Sequence, residues 1–212
     1  KVGKPVSAVL FTMGSGPVML YHGQEVGEPA AGVEGFGGDD ARTSIFDYWS
    51  MPEFTKWVNG GKYDGARLTD ERKSLRDWYG KLIRATQCRA FTDGEFYGLN
   101  HANKDHPAFG RVGDEGASGH WFYAFLRRDT KSGQAFLVVA NFHPSETLRG
   151  VKIRIPKDAQ MFLGHSEDET WSVVDRLDSD WKSNVLRKDL DAAGLAVPDL
   201  APCSAMLLEI SR

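Results

Sequence analysis

Up to about residue 90 the apolar residues of this chain follow helical spacing or form one short solid run; beyond it they come in short stretches separated by turns. In 212 residues that break reads as α/β followed by all-β. In the first part, Pro5 to Met13 sets Val6, Val9, Leu10 and Met13 at i, i+3, i+4 and i+7 behind a proline, which predicts a short buried helix. Gly14-Ser15-Gly16-Pro17 stops it. Val18-Met19-Leu20-Tyr21 follows, wholly apolar between glycines, as a strand buried on both faces of a parallel sheet would be.

From Gly23 to Gly65 no period is sustained, and a connection of that length suggests a functional loop. It holds Phe36, Phe46, Tyr48, Trp49, Phe54, Trp57 and Tyr63. Thr69 then reads as an N-cap with Asp70 and Glu71 in the first turn. Leu75, Trp78, Tyr79, Leu82 and Ile83 form one stripe, predicting an amphipathic helix over about Asp70 to Thr86. After residue 90, strands are expected over Glu95 to Leu99, His120 to Arg127, Ala135 to Phe142, Val151 to Ile155, Trp171 to Arg176 and Ser204 to Ile210. Trp121 to Leu126 is apolar on both faces, so it should be central or face another domain.

One helix, one strand, a long loop and a second helix do not close a core. Residues 1–90 are therefore expected to be the end of a larger α/β domain, torn open at the Val18–Tyr21 strand, and residues 91–212 a complete antiparallel sandwich.

Charge narrows the functional classes. With 26 Lys and Arg against 29 Asp and Glu, scattered along the chain, no basic face calls for nucleic acid or an anionic membrane. No run approaches the roughly 18 apolar residues of a membrane span, so a soluble chain is expected. It begins at Lys1 without Met or an apolar leader, which leaves the compartment unread. Cys88 and Cys203 are too few for a disulfide framework or a closed zinc site. Asp39-Asp40 among glycines falls short of the 6 to 8 oxygens that calcium takes, so neither a metal site nor a cofactor is expected here.

Gly16-Pro17-Val18-Met19-Leu20-Tyr21-His22-Gly23-Gln24-Glu25-Val26-Gly27 resembles the last barrel-strand motif of the α-amylase family (glycoside hydrolase family 13), with Gly16, Tyr21, Gly23 and Glu25 in register and Pro17 one position early. Ala41-Arg42-Thr43-Ser44-Ile45-Phe46-Asp47-Tyr48 is similar to the family's following loop, with Ser44 for proline and Phe46 for tryptophan. Leu75 to Ile83 resembles its barrel-closing helix, and Tyr123 to Arg127, Leu137 to Phe142 and Pro202 to Leu208 resemble strands of its C-terminal domain. The resemblance implies the last helix, strand and helix of a (β/α)8 TIM barrel in residues 1–90, with an active-site loop over 23–65, followed by an antiparallel Greek-key β-sandwich in 91–212.

It also implies a parent enzyme that hydrolyses starch or malto-oligosaccharides, or transfers their glucosyl units, by a retaining mechanism. Such enzymes use two carboxyl groups about 5 Å apart. The family's catalytic carboxylates would precede Lys1, so this stretch alone is expected to be inactive and to contain no catalytic residue. Its implied partners are an α-glucan and the remainder of its own barrel, and calcium is compatible with the whole protein. Arg42 and Asp47 are the candidate polar contacts to sugar hydroxyls, and Tyr48, Trp49 and Trp57 the candidate apolar faces for the rings. Core packing is the simpler account of those aromatics, and mutual pairing an equal account of Arg42 and Asp47. Tyr21 and Glu25 read as structural, and Asn100-His101 with Asp105-His106 as a polar loop. The competing class is a non-catalytic carbohydrate-binding or assembly module with the same architecture.

Overall fold

A computed structural model describes residues 3–29, 48–164 and 170–211. In chain order its helices are α1 (Gly3–Met13), α2 (Pro52–Val58), α3 (Asp70–Ala85), α4 (Arg89–Thr92), α5 (Asn100–Asn103) and α6 (Lys157–Leu163). Its strands are β1 (Glu95–Gly98), β2 (Phe122–Arg128), β3 (Ala135–Asn141), β4 (Lys152–Ile153), β5 (Thr170–Asp175), β6 (Lys182–Leu186), β7 (Leu195–Ala196) and β8 (Ser204–Ser211). The chain divides into two compact units, Lys1–Gly16 with Leu82–Arg212, and Pro17–Lys81. These units cut the chain elsewhere than the 90/91 boundary read from the pattern of elements.

The first unit is built on a six-stranded antiparallel sheet in the order β1-β2-β3-β8-β5-β6. β4 and β7 form a separate two-stranded ribbon. Along β3, Ala135, Leu137 and Val139 enter a core shared with Phe122, Leu126, Trp171, Val173 and Leu208 of the sheet, Ile153 and Leu195 of the ribbon, and Ala159 and Leu163 of α6. The alternate residues Phe136, Val138 and Ala140 are equally buried, because α1 packs on β3 and β8 from the other side. Coverage on both faces explains why β2 and β3 read as solid apolar runs. β2 is central, between β1 and β3.

Buried polar groups pin the connections. Asn103 accepts from Arg154 N–H and donates to the Leu99 and Arg154 carbonyls. Asn141 donates to the carbonyls of Glu146, Leu200 and Ala201 and accepts from His143 N–H. Arg127 of β2, 2% exposed, turns its guanidinium to the carbonyls of Met13, Ala90, Phe91 and Gly94 and to the Ser15 hydroxyl. Met13 closes α1, while Ala90 and Phe91 belong to α4, so the cation lies where two helices present unbonded carbonyls.

Two expectations are corrected. Val18–Tyr21 forms no strand: among the described residues no backbone hydrogen bond joins Val18, Met19 or Leu20 to another segment, and Val18, Met19 and Tyr21 are exposed. A parallel strand is held by neighbours on both sides, and the described residues supply none. No described strand pair is parallel, so no portion of a (β/α)8 barrel is seen. The second correction concerns α1, which buries Ala8, Val9 and Phe11 but leaves Val6, Leu10 and Met13 exposed, Leu10 at 68%. A helix apolar all round is covered here on one side only.

Candidate functional site

The second unit carries the stretch where the candidate residues cluster. Pro52 opens α2 at its first turn and Asn59, left-handed at φ 47°, closes it. The free N–H groups of its first turn, Glu53 and Phe54, both donate to the Glu28 carboxylate at 2.9 Å. Glu53 in turn accepts from Lys56 at 2.7 Å and pairs with Arg72 at 2.9 Å, and Arg72 also donates to the carbonyls of Val26 and Gly27. Gly27, at φ 67°, is needed there: a Cβ would stand 3.1 Å from the Arg72 guanidinium and from Leu75. Thr69 caps α3 as its sequence predicts, accepting from Arg72 N–H.

That frame sets five rings in a contact series, each against the next. Centroids step from Trp49 to Tyr48 by 5.6 Å, Tyr48 to Phe54 by 6.4 Å, Phe54 to Trp57 by 5.3 Å and Trp57 to Tyr63 by 5.5 Å. His22 packs on Phe54 at 4.5 Å, and the Arg76 guanidinium lies 4.7 Å over Trp57. The middle of the row is half-buried, but its ends are open: Trp49 is 72% and Tyr63 58% exposed. A tight loop presents Tyr63, with Asn59, Gly60, Gly61, Tyr63 and Gly65 all at positive φ. Asn59 donates to Asp64 at 2.8 Å and Tyr63 N–H to the Val58 carbonyl at 3.0 Å. The Ala66 N–H, and after it the Asn59 amide, hold the Asp64 carboxyl below the usual carboxylate range.

Of the five substrate-contact candidates, Tyr48, Trp49 and Trp57 are members of this row, while Arg42 and Asp47 lie outside the described residues. Trp57 is its packed centre. Phe54 and Tyr63 stood only among the aromatics of the loop, and neither they nor His22 and Arg76 were read from sequence as ligand contacts. Asn59-Gly60-Gly61 and Gly65 around Tyr63 were the available signal, since such clusters mark left-handed turns. Glu25 lies in a single 3-10 turn and the Tyr21 N–H donates to the Gln24 side chain. Asn100 holds Phe122 and Ala124 of β2 by their backbone, a structural use of that polar loop. Among the described residues no three His, Cys, Asp or Glu side chains are placed to hold a metal ion, and no helix is long and apolar enough to cross a membrane.

What can this surface do? Aromatic faces suit a ligand that offers C–H groups, and a pyranose ring is one. Glu28 and Glu53 are engaged by a helix N-terminus and by two cations, roles that hold the backbone.

No family model matches the chain. No curated protein matches it in sequence. Solved structures that resemble it include α-galactosidases, among them ones of glycoside hydrolase family 36. They include AgaA from Geobacillus stearothermophilus (TM-score 0.41, 12% identity, covering 85% of this chain and 21% of that one) and the galactosidase domain of the α-galactosidase-sucrose kinase AgaSK (0.42, 13%, 86% and 22%). A third is the α-galactosidase from Lactobacillus brevis (0.41, 14%, 66% and 16%). The chain spans about a fifth of the length of these structures or less. Assignment to the α-amylase family is corrected. Its motifs were a few residues each, with departures at Pro17, Ser44 and Phe46; the strand they implied is not formed, and the similar structures belong to another family. At these TM-scores the likeness carries no argument about activity.

Proposed function

We propose that this chain is a carbohydrate-contacting portion of a larger glycoside hydrolase, without catalytic carboxylates of its own. The observation that carries the reading is the row from Trp49 to Tyr63, braced from behind by ion pairs and open at both ends. Large exposed aromatics are costly to leave in water without a partner, and sugars pair an apolar ring face with a polar rim. Arg42 and Asp47, next to Tyr48 in sequence, are the proposed hydrogen-bonding partners of the sugar hydroxyls. Neutral oligosaccharides, α-glucans among them, are the proposed ligands.

In this arrangement the Pro17–Lys81 unit belongs with the catalytic domain of the whole protein, and the sheet-bearing unit, Lys1–Gly16 with Leu82–Arg212, is its appended β domain. Two exposed apolar surfaces support a larger assembly, the outer face of α1 at Val6, Leu10 and Met13, and the segment with Val18, Met19 and Tyr21. Each is what a neighbouring domain would bury.

Trp49→Ala is expected to weaken binding of an oligosaccharide such as maltoheptaose by about 1 kcal/mol, the scale of one lost ring contact, with the melting temperature unchanged. Calorimetric titration of both forms checks it. Undiminished binding by the variant, or a lower melting temperature with the same affinity, would make Trp49 a packing residue.

A further inference from the structure

The row has two exposed ends, and only the Trp49 end follows from the sequence. Tyr63 at the other end is held in a left-handed conformation, φ 55°, that a tyrosine rarely adopts. Three glycines at positive φ and the Asn59–Asp64 hydrogen bond maintain it. A loop built only to reverse direction would put glycine or asparagine at that position. Here it carries a ring that stands edge-on to Trp57, at 61° and 5.5 Å, with its other surface in solvent. Trp57 is itself fixed by Phe54 and by the Arg76 guanidinium, so Tyr63 stands on a rigid base.

We propose that Tyr63 is a second sugar-stacking platform and that the ligand lies lengthwise along the row, an oligosaccharide of several units in contact with both Tyr63 and Trp49. This rests on the carbohydrate reading of the surface and names the length of its ligand. Consecutive rings are 5.3 to 6.4 Å apart, a step close to the length of one sugar unit in an extended chain. A single sugar covers one end and leaves the other wet.

The test is calorimetric titration of the chain and its variants with maltoheptaose, a galacto-oligosaccharide of similar length, and glucose. Tyr63→Gly removes the ring and suits the left-handed backbone, so folding is retained, which an unchanged melting temperature verifies. For whichever oligosaccharide binds, Tyr63→Gly is expected to weaken binding by about 3- to 10-fold, Tyr63→Phe to leave it within about 2-fold, and Trp49→Ala to act as Tyr63→Gly does. The double variant should show the product of the two effects, and glucose should bind more weakly than the oligosaccharide. If Trp49→Ala weakens binding while Tyr63→Gly does not, the lengthwise ligand is overturned and the surface reading stands. If neither oligosaccharide binds the unaltered chain, the surface reading itself falls, and the lengthwise ligand with it.

Discussion

Arg127→Met lowers the stability of the sheet-bearing unit by about 3 kcal/mol or more, read as a reduced urea midpoint at unchanged slope. The side chain is 2% exposed, and burial pulls its pKa down from the usual arginine value without neutralising it. Its partners among the described residues are four carbonyls and one hydroxyl, with no carboxylate, so the charge is balanced by dipoles at the ends of α1 and α4. Methionine fills similar space and leaves those carbonyls without a donor. Each stranded buried acceptor costs about 1 to 3 kcal/mol, less whatever water recovers. Arg127→Lys is not a rescue, since one ammonium has three donors and no planar fork to reach carbonyls on different sides. A midpoint within about 0.5 kcal/mol of the unaltered chain would show that the guanidinium network is not what fastens α1 and α4 to β2.

The second large effect is an absence of turnover. The isolated chain is expected to cleave aryl α-glucosides, aryl α-galactosides and malto-oligosaccharides no faster than buffer, although glycosidases accelerate such reactions by at least about 10⁶-fold. Retaining hydrolysis needs two carboxyls about 5 Å apart, one of them kept protonated. In the ring-bearing unit Glu28 accepts two helix N–H groups and Glu53 faces Lys56 and Arg72, so both carboxylates are taken up in holding the backbone and its ion pairs. Release of nitrophenol that stays at constant specific activity through successive columns and disappears in Glu28→Gln would contradict this and move the proposal to an enzyme.

Much of the fold was legible because patterning and burial agree. α3 follows its 3.6-residue stripe, α1 forms where it was read but buries Ala8, Val9 and Phe11 in place of most of its stripe, and β1, β2, β3, β5 and β8 lie within a few residues of the apolar runs that announce them. β6 was missed because Lys182–Leu186 is an edge strand with exposed residues at alternate positions and no apolar run. α2 and α6 were missed for shortness, although Pro52 at a helix start and Gly164 at φ 73° after Leu163 are the signals each carries. Val18–Tyr21 fails for a different reason. Its apolar run is strand-like, but a strand is a property of its neighbours, which a local reading cannot supply. At the site, the ring types were legible and their order in space was not: Tyr48 and Phe54 meet through α2, and Tyr63 reaches Trp57 only because its loop turns left-handed.

The central claim is that sugar meets this chain on the rings of the second unit. The six tryptophan indole N–H signals of the labelled chain, followed by NMR during titration with an oligosaccharide, test it most directly. The account predicts that Trp49 and Trp57 move together and saturate, while Trp171, 1% exposed in the core of the sheet, stays in place. Saturating shifts confined to Trp121, Trp171 or Trp181 of the sheet-bearing unit, with Trp49 and Trp57 unmoved, would contradict it.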